Sequence, residues 1–320
     1  NWQPTADIDI LKRRAQLLAD VRLFFAQRNV LEVETPILSS AAPTAPYLDS
    51  FQTDFIPLGT KEINTLYLQT SAEFTMKRLL ASGSGSIYQI AKVFRNGESG
   101  RQHSPEFTML EWYRPELNLN QLMDEVNALF QQVFQFDSIL RYSYRGIFEL
   151  FCKFNVLKCT DDEIKQFALK RINGLPIDLQ TDRDGWLGLI MSYVIEPRLS
   201  ALKMSVFIYD FPASQAQLAK VAKDEQGNEV AKRFELYAGG MELANGYDEL
   251  LDAVELRLRF KHDNQQRKQQ NKPLMPIDEN LLAAMEAGLP QCTGVALGLD
   301  RLMMLVTDEH NINGVQSFSF

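Results

Sequence analysis

The sequence predicts an α+β fold. Stretches with the apolar spacing of a one-sided helix alternate with short β-rich runs, and several of those runs are neighbours joined by polar or Gly-containing turns. With 320 residues, 45% of them apolar, there is material for one large domain or two ordinary ones. No repeat, low-complexity tract or linker divides the chain, so a single unit over residues 1–320 is expected.

From Asp9 to Asn29, Leu11, Ala15, Leu18, Val21 and Phe25 recur on one helical face, with Asn29 as a stop. Val30 to Thr35 alternates as a strand, and Pro36 ends it because it cannot donate to a ladder. Ser39 to Asp49, rich in Ala, Pro and Ser, reads as a loop arching over a site. A short strand is expected at Leu66 to Thr70 and a helix at Ala72 to Ala81. The Ser-Gly turn 82–86 lacks the GK[ST] of a phosphate loop and is a connector into the strand Ile87 to Phe94. A second run follows in which Phe107, Met109, Glu111 and Tyr113 share one face. Gln121 to Phe136 reads as a helix, Cys159 to Leu202 carries helix signals without nameable chemistry, and Ser205 to Tyr209 is a strand.

Thirty-three basic against 41 acidic residues, net −8, argue against a surface built mainly for nucleic acid. Cys152, Cys159 and Cys292 form no CxxC pair, which suits reduced thiols in a cytoplasmic protein. No leader pattern or long apolar run suggests export or a membrane. Three histidines (His103, His262, His310) and no HExxH point any metal towards carboxylates, hence Mg²⁺.

Three constellations carry chemistry. In the first, residues 93–113, Arg95 can hold a phosphate by a forked contact, His103 can reach another, and Phe107 offers a ring to a base. The bland alternative is a solvated Arg-Glu loop. In the second, Ala238-Gly239-Gly240 joins two β-runs. With the turn centred on Ala238-Gly239, Glu235 lies opposite Glu242, and carboxylates roughly 5 Å apart call for a cation or proton between them. A slipped register with both in solvent is the alternative. Asn245, Tyr247 and Glu249 have the opposite parity from Glu242, so a common face requires a bulge, most naturally at Gly246. In the third, the strand from Gly294 breaks at Gly298 into a helix with Arg301 in its first turn. That cation opposes the helix dipole unless a phosphate anion offsets it; otherwise it points to solvent or pairs with Asp300.

Residues 87–113, with Arg-Asn…His-x-Pro-Glu-Phe-Thr-Met-x-Glu, resemble motif 2 of class II aminoacyl-tRNA synthetases, in particular the lysyl branch. Gly-x-Asp-Arg within 294–306 resembles motif 3, and the helix, strand and Pro36 of 9–36 resemble motif 1. Gly-Gly-x-Glu-x-x-Asn-Gly-Tyr-x-Glu-Leu is similar to the lysyl-synthetase segment that binds Mg²⁺ and the amino acid. The resemblance implies an antiparallel sheet flanked by helices and a motif 1 homodimer. It assigns ATP to Arg95, Asn96, Glu98, His103, Phe107, Glu235, Glu242 and Arg301, with Arg95 and Arg301 catalytic and Mg²⁺ on Glu235 and Glu242. The amino acid falls to Ser71, Glu73, Glu111, Tyr113, Asn245, Tyr247, Glu249 and Ala296.

Three departures from the lysyl synthetases matter. No room is left for their N-terminal oligonucleotide-binding domain, Ala296 stands where they usually have Gly, and Gly97 replaces a Glu whose adenine contact Glu98 would take over. The first two match the synthetase-like ligases that place β-lysine on a lysine of elongation factor P. The expectation is therefore ATP-dependent activation of (R)-β-lysine, or lysine, and transfer to an ε-amino group of elongation factor P, without stable tRNA binding. A minimal lysyl-tRNA synthetase and a catalytically silent regulatory paralogue are the alternatives.

Overall fold

The computed structural model describes residues 2–176 and 178–319, and the chain divides into two compact units, 1–117 with 250–320 and 118–249. Both combine mainly antiparallel ladders with helices, the α+β class expected.

In the first unit, Ile87–Phe94 and Glu106–Arg114 pair antiparallel from Ile87↔Tyr113 to Phe94↔Glu106. Thr293–Gly298 pairs antiparallel on the other side of Glu106–Arg114, and the two-residue strand Leu31–Glu32 runs parallel to Ile87–Phe94. The predicted strand 30–35 thus shrinks to an edge: only Leu31 and Val33 donate to the ladder, to the carbonyls of Ser86 and Tyr88, before the chain turns away. The first helix, Ile8–Ala26, buries Leu17, Val21, Phe24 and Phe25. Its buried face is rotated from the predicted one; Ala15 is exposed, and Leu11 and Leu18 are half-buried. The adjacent phenylalanines bring the largest apolar area and set the rotation. Phe25 stacks on Tyr88 with centroids 4.5 Å apart and meets Trp112 edge-on at 5.3 Å. Asn29 does end the helical segment, at φ 54°.

A small sheet of Leu38–Ser39, Asn64–Leu68 and Gln52–Phe55 follows; the predicted strand 66–70 begins two residues earlier. The helix Glu73–Ala81 falls where expected. The Ser39–Asp49 loop is pinned by a residue the sequence did not single out. Fully buried Arg267, on the helix Ala253–Gln269, donates to the carbonyls of Ala45 and Pro273 and to Asp49 Oδ1 at 3.0, 2.7 and 2.7 Å. Lys272 Nζ lies 3.0 Å from Asp49 Oδ2. Burial pushes the Asp49 carboxyl up, but Lys272 and Arg267 outweigh it and hold the group below its usual range.

The second unit begins with the helix Leu119–Phe134, entered through a capping box in which Asn118 and Gln121 satisfy each other's backbone N–H. Its strands pair in the order Met241–Asp248, Glu229–Ala238, Val206–Pro212, Leu140–Ser143, with Val221–Lys223 also on Glu229–Ala238. The stretch without nameable chemistry, 159–202, forms Asp161–Arg171, Arg183–Ile190, a π-turn at Met191–Ile195 and Glu196–Ala201. It supplies Trp186, Leu187, Ile190, Ile195 and Leu199 to a core shared with Phe148, Ile208 and Phe211. Among the described residues no helix is long and apolar enough to cross a membrane, and the three cysteines form no disulfide.

Candidate active site

The hairpin 87–114 places the first group. Its loop is closed by the Arg95 N–H donating to Pro105 O at 2.9 Å, then turns tightly, Glu98 N–H to Arg95 O at 3.4 Å. Gly97 sits at the third position of that turn with φ +87°, which a residue with a Cβ adopts only under strain. A glutamate there would carry that strain, a local reason for the glycine. Asn96 donates its N–H to Asp49 O at 2.8 Å, tying the turn to the Ser39–Asp49 loop. The Arg95 guanidinium lies 5.1 Å from the Phe107 ring centre and 3.5 Å from Glu98, while its Nε is buried without a hydrogen-bond partner. A buried, unfilled cationic donor above an aromatic face is ready for an anion beside a flat ring.

Thr293–Gly298 runs into the helix Leu299–Thr307. Arg301 donates from Nε to Gln102 O at 3.2 Å, and its Nη2 lies 2.6 Å from His103 Nε2. Burial first, then the Arg301 charge, lowers the His103 pKa, so the imidazole stays neutral and its Nε2 accepts from Arg301. The structure thus joins two predicted phosphate residues to each other. Asp300 Oδ2 accepts the Thr108 N–H at 2.6 Å and its Oδ1 accepts Arg14 Nη1 at 2.8 Å.

A second group in the same unit surrounds Glu111, which is buried. Ser71 Oγ donates to its Oε2 at 2.6 Å and the Ala72 N–H to its Oε1 at 2.7 Å, at the start of the helix Glu73–Ala81. Burial pushes its pKa up to about 7 against those bonds, and neighbouring Glu73 adds to the rise. Glu73 itself pairs with the buried Lys77 at 2.6 Å. The i,i+4 spacing carries that pairing in the sequence, yet Lys77 was not singled out. In the ladder Glu111 stands between Gln89 and Ala296, directly paired side chains that share a face. The Ala296 methyl therefore lies beside a carboxylate that burial brings to a pKa of about 7. Tyr113, buried, pairs with Gly294 two places along.

In the second unit the hairpin Glu229–Ala238/Met241–Asp248 corrects the predicted register. Ala238 pairs with Met241, so the turn is Gly239-Gly240, and Glu235 faces Asn245 while Tyr237 faces Glu242. Leu236 pairs with Ala244, which leaves Leu243 as the extra residue. The required bulge exists, at Leu243 and not at Gly246, where the ladder is regular opposite Phe234. Leu243 and Ala244 are both buried, so two successive apolar residues supply the shift that a glycine was expected to give. Its consequence is the expected one for Asn245 and Tyr247, which share a face with Glu242 and, across the ladder, with Arg233, Glu235 and Tyr237, while Glu249 lies beyond the strand.

Arg233, absent from the sequence reading although its parity matches Glu235, ion-pairs with Glu235 and lies 4.4 Å from the Phe211 ring centre. Tyr237 donates to Glu235 Oε2 at 2.6 Å; burial and the charges of Glu235 and Glu242 raise its pKa well above the usual value, so it remains a donor. Burial lowers the Arg233 pKa, but Glu235, Tyr247 and Glu242 reverse the shift and keep it charged. The Tyr247 hydroxyl bonds Gln217, Asn245 Oδ1 is buried without a partner, and Glu249 is buried beside Ala219 in an isolated bridge. Among the described residues no three His, Cys, Asp or Glu side chains are placed to hold a metal. Glu235 keeps spare lone pairs and Glu242 shares its face. Two carboxylates fit Mg²⁺, which keeps several waters and takes phosphate oxygens, and do not fit an all-protein cage.

Residues 5–320 match the family model of class II tRNA synthetases (D, K and N). The chain belongs to this family. It is 46% identical over 319 residues to the elongation factor P–(R)-β-lysine ligase of Photorhabdus laumondii, covering 100% of this chain and 97% of the relative. The ligases of that name from Haemophilus influenzae and Pectobacterium carotovorum are each also 46% identical, with the same coverage. Within the class II family the chain groups with these synthetase-like ligases, and ligases of this family use ATP and typically Mg²⁺.

Proposed function

We propose that this chain activates (R)-β-lysine with ATP and transfers it to the ε-amino group of a lysine on elongation factor P. The observation that carries the reading is the Ala296 methyl in ladder register with buried Glu111, on a chain that matches ligases of this name end to end. A substrate with two ammonium groups needs carboxylates that offset the loss of water around them. Glu111, held by Ser71 and Ala72, is suited to one ammonium; Glu73 and Tyr113 in the first unit and Asn245, Tyr247 and Glu249 in the second are the further residues assigned to the amino acid.

In the first step the substrate carboxylate attacks the α-phosphorus of ATP and pyrophosphate leaves. Arg95 and Arg301 face the charge that develops on the phosphate oxygens, Phe107 carries the adenine, Asn96 and Glu98 shape the turn that holds Arg95, and His103 steadies Arg301. Glu235 and Glu242 would hold Mg²⁺, which neutralises phosphate charge as a Lewis acid. In the second step the acceptor amine attacks the mixed-anhydride carbonyl and AMP leaves. No protein nucleophile is needed. A homodimer is part of the proposal: Ile8, Leu23 and Leu31, on the motif 1 helix and edge strand, are exposed apolar residues suited to a partner. Cytoplasmic location and the absence of stable tRNA binding complete it.

The test is pyrophosphate exchange across an amino-acid panel. The highest kcat/KM is expected for (R)-β-lysine. Preference for α-lysine with charging of tRNA would instead favour a minimal lysyl-tRNA synthetase, and no exchange with any amino acid would favour a silent paralogue.

A further inference from the structure

Arg14 lies on the motif 1 helix but is none of the residues assigned above to ATP or the amino acid, yet it closes a junction among three segments of the first unit. It projects from the first helix with its side chain only 15% exposed. Its Nη1 donates to Asp300 Oδ1 at 2.8 Å and its Nη2 to Thr108 Oγ1 at 2.7 Å. Asp300 is 1% exposed and spends its other oxygen on the Thr108 backbone N–H at 2.6 Å. Arg14, Asp300 and Thr108 therefore form a closed ring of charge-assisted bonds, the strong and directional kind. Thr108 follows Phe107, and Asp300 precedes Arg301. The ring thus fixes the backbone one residue away from the aromatic ring proposed for the base and from the cation proposed for a phosphate.

We propose that Arg14 is a positioning residue for the nucleotide: through Asp300 and Thr108 it sets the spacing between Phe107 and Arg301. The proposal rests on the assignment of those two residues to ATP. Buried ion pairs contribute little net stability compared with apolar packing of the same volume, so geometry is the better account of this one. A guanidinium with two donors in a fixed fork can hold two acceptors on different segments at once, which an ammonium does less well.

The experiment measures pyrophosphate exchange and melting temperature for Arg14→Ala, Arg14→Lys and Thr108→Val in the full chain, with Arg301→Ala as a control. Arg14→Ala should raise KM for ATP about tenfold, the scale on which small displacements act, and leave KM for the amino acid within about twofold. Arg14→Lys should recover part of that loss. A lower melting temperature with KM for ATP unchanged would overturn the proposal, because a purely structural pair acts only on the folded fraction. Should Arg14→Ala fail to fold, Thr108→Val decides. It keeps the Arg14–Asp300 pair and removes one acceptor, so KM for ATP should still rise by about threefold, and no change overturns the proposal. If Arg301→Ala exchanges at the wild-type rate, the nucleotide assignment itself falls, and this inference with it; if Arg301→Ala is inactive while Arg14→Ala and Thr108→Val are kinetically normal, only the inference falls.

Discussion

Glu111→Gln separates the charge of the buried carboxyl from its shape. A glutamine can still accept the Ala72 N–H and donate to Ser71 Oγ, so the local bonds survive in reoriented form. Burial raises the Glu111 pKa from 4.5 to about 7. The folded protein therefore binds a proton more readily than the unfolded chain between those values. The resulting stability contribution is fully present below pH 4.5 and lost as pH rises to about 7, a change of roughly 3 kcal/mol from this group. Substrate binding runs the other way, because an ammonium group needs the ionised carboxylate. For the wild type, kcat/KM for the amino acid should rise with pH, close to tenfold per unit below about pH 7, and level off above it. Glu111→Gln should flatten that profile and raise KM by about 30-fold or more, as for a lost buried charge pair of at least 2 kcal/mol. It should also narrow the stability difference between pH 5 and pH 8 relative to wild type, measured by denaturant unfolding at the two values. A wild-type profile flat from pH 6 to pH 8, or a variant with normal KM, would refute the placing of Glu111 against the substrate ammonium.

Arg301→Ala and Arg95→Ala should each slow adenylate formation by about 10²-fold or more, read by pyrophosphate exchange, as for other preorganised charges at a transition state. Glu242→Gln should increase the Mg²⁺ concentration needed for half-maximal exchange, with little effect on the melting temperature. Ala296→Gly should shift relative kcat/KM towards α-lysine by about 1–3 kcal/mol, the worth of one methyl-sized difference in a pocket. Arg267→Ala leaves the Ala45 and Pro273 carbonyls without their donor and Asp49 with Lys272 alone, and should cost about 1–3 kcal/mol of stability, visible as a lower melting temperature.

The hairpin 87–114 was legible in the sequence because its strands are long, β-rich and closed by a polar turn, so neither length nor register is ambiguous. The Glu235–Glu242 hairpin was legible as a hairpin but not in register. Three small residues in a row, Ala238-Gly239-Gly240, allow more than one turn centre, and the choice moved both the pairing and the bulge. The first helix carries two overlapping apolar stripes that share Val21 and Phe25, and periodicity alone does not weigh Phe24 against Leu11. Arg14 and Arg267 stayed hidden for a common reason, whereas Lys77 and Arg233 have their carboxylates, Glu73 and Glu235, close in sequence. A lone basic residue reads as solvated surface until the fold places a carboxylate against it, as it places Asp300 against Arg14 286 residues away. The motif residues needed no such long-range information, since each sits in a short run whose spacing already implies its neighbours.

The most direct measurement is the intact mass of elongation factor P after incubation with this protein, ATP, Mg²⁺ and either (R)-β-lysine or α-lysine, with tRNA aminoacylation followed in parallel. The account predicts a mass increase of one lysyl-type residue on a single lysine, faster with (R)-β-lysine, and no charging of tRNA. An unmodified factor together with lysylated tRNA would contradict it.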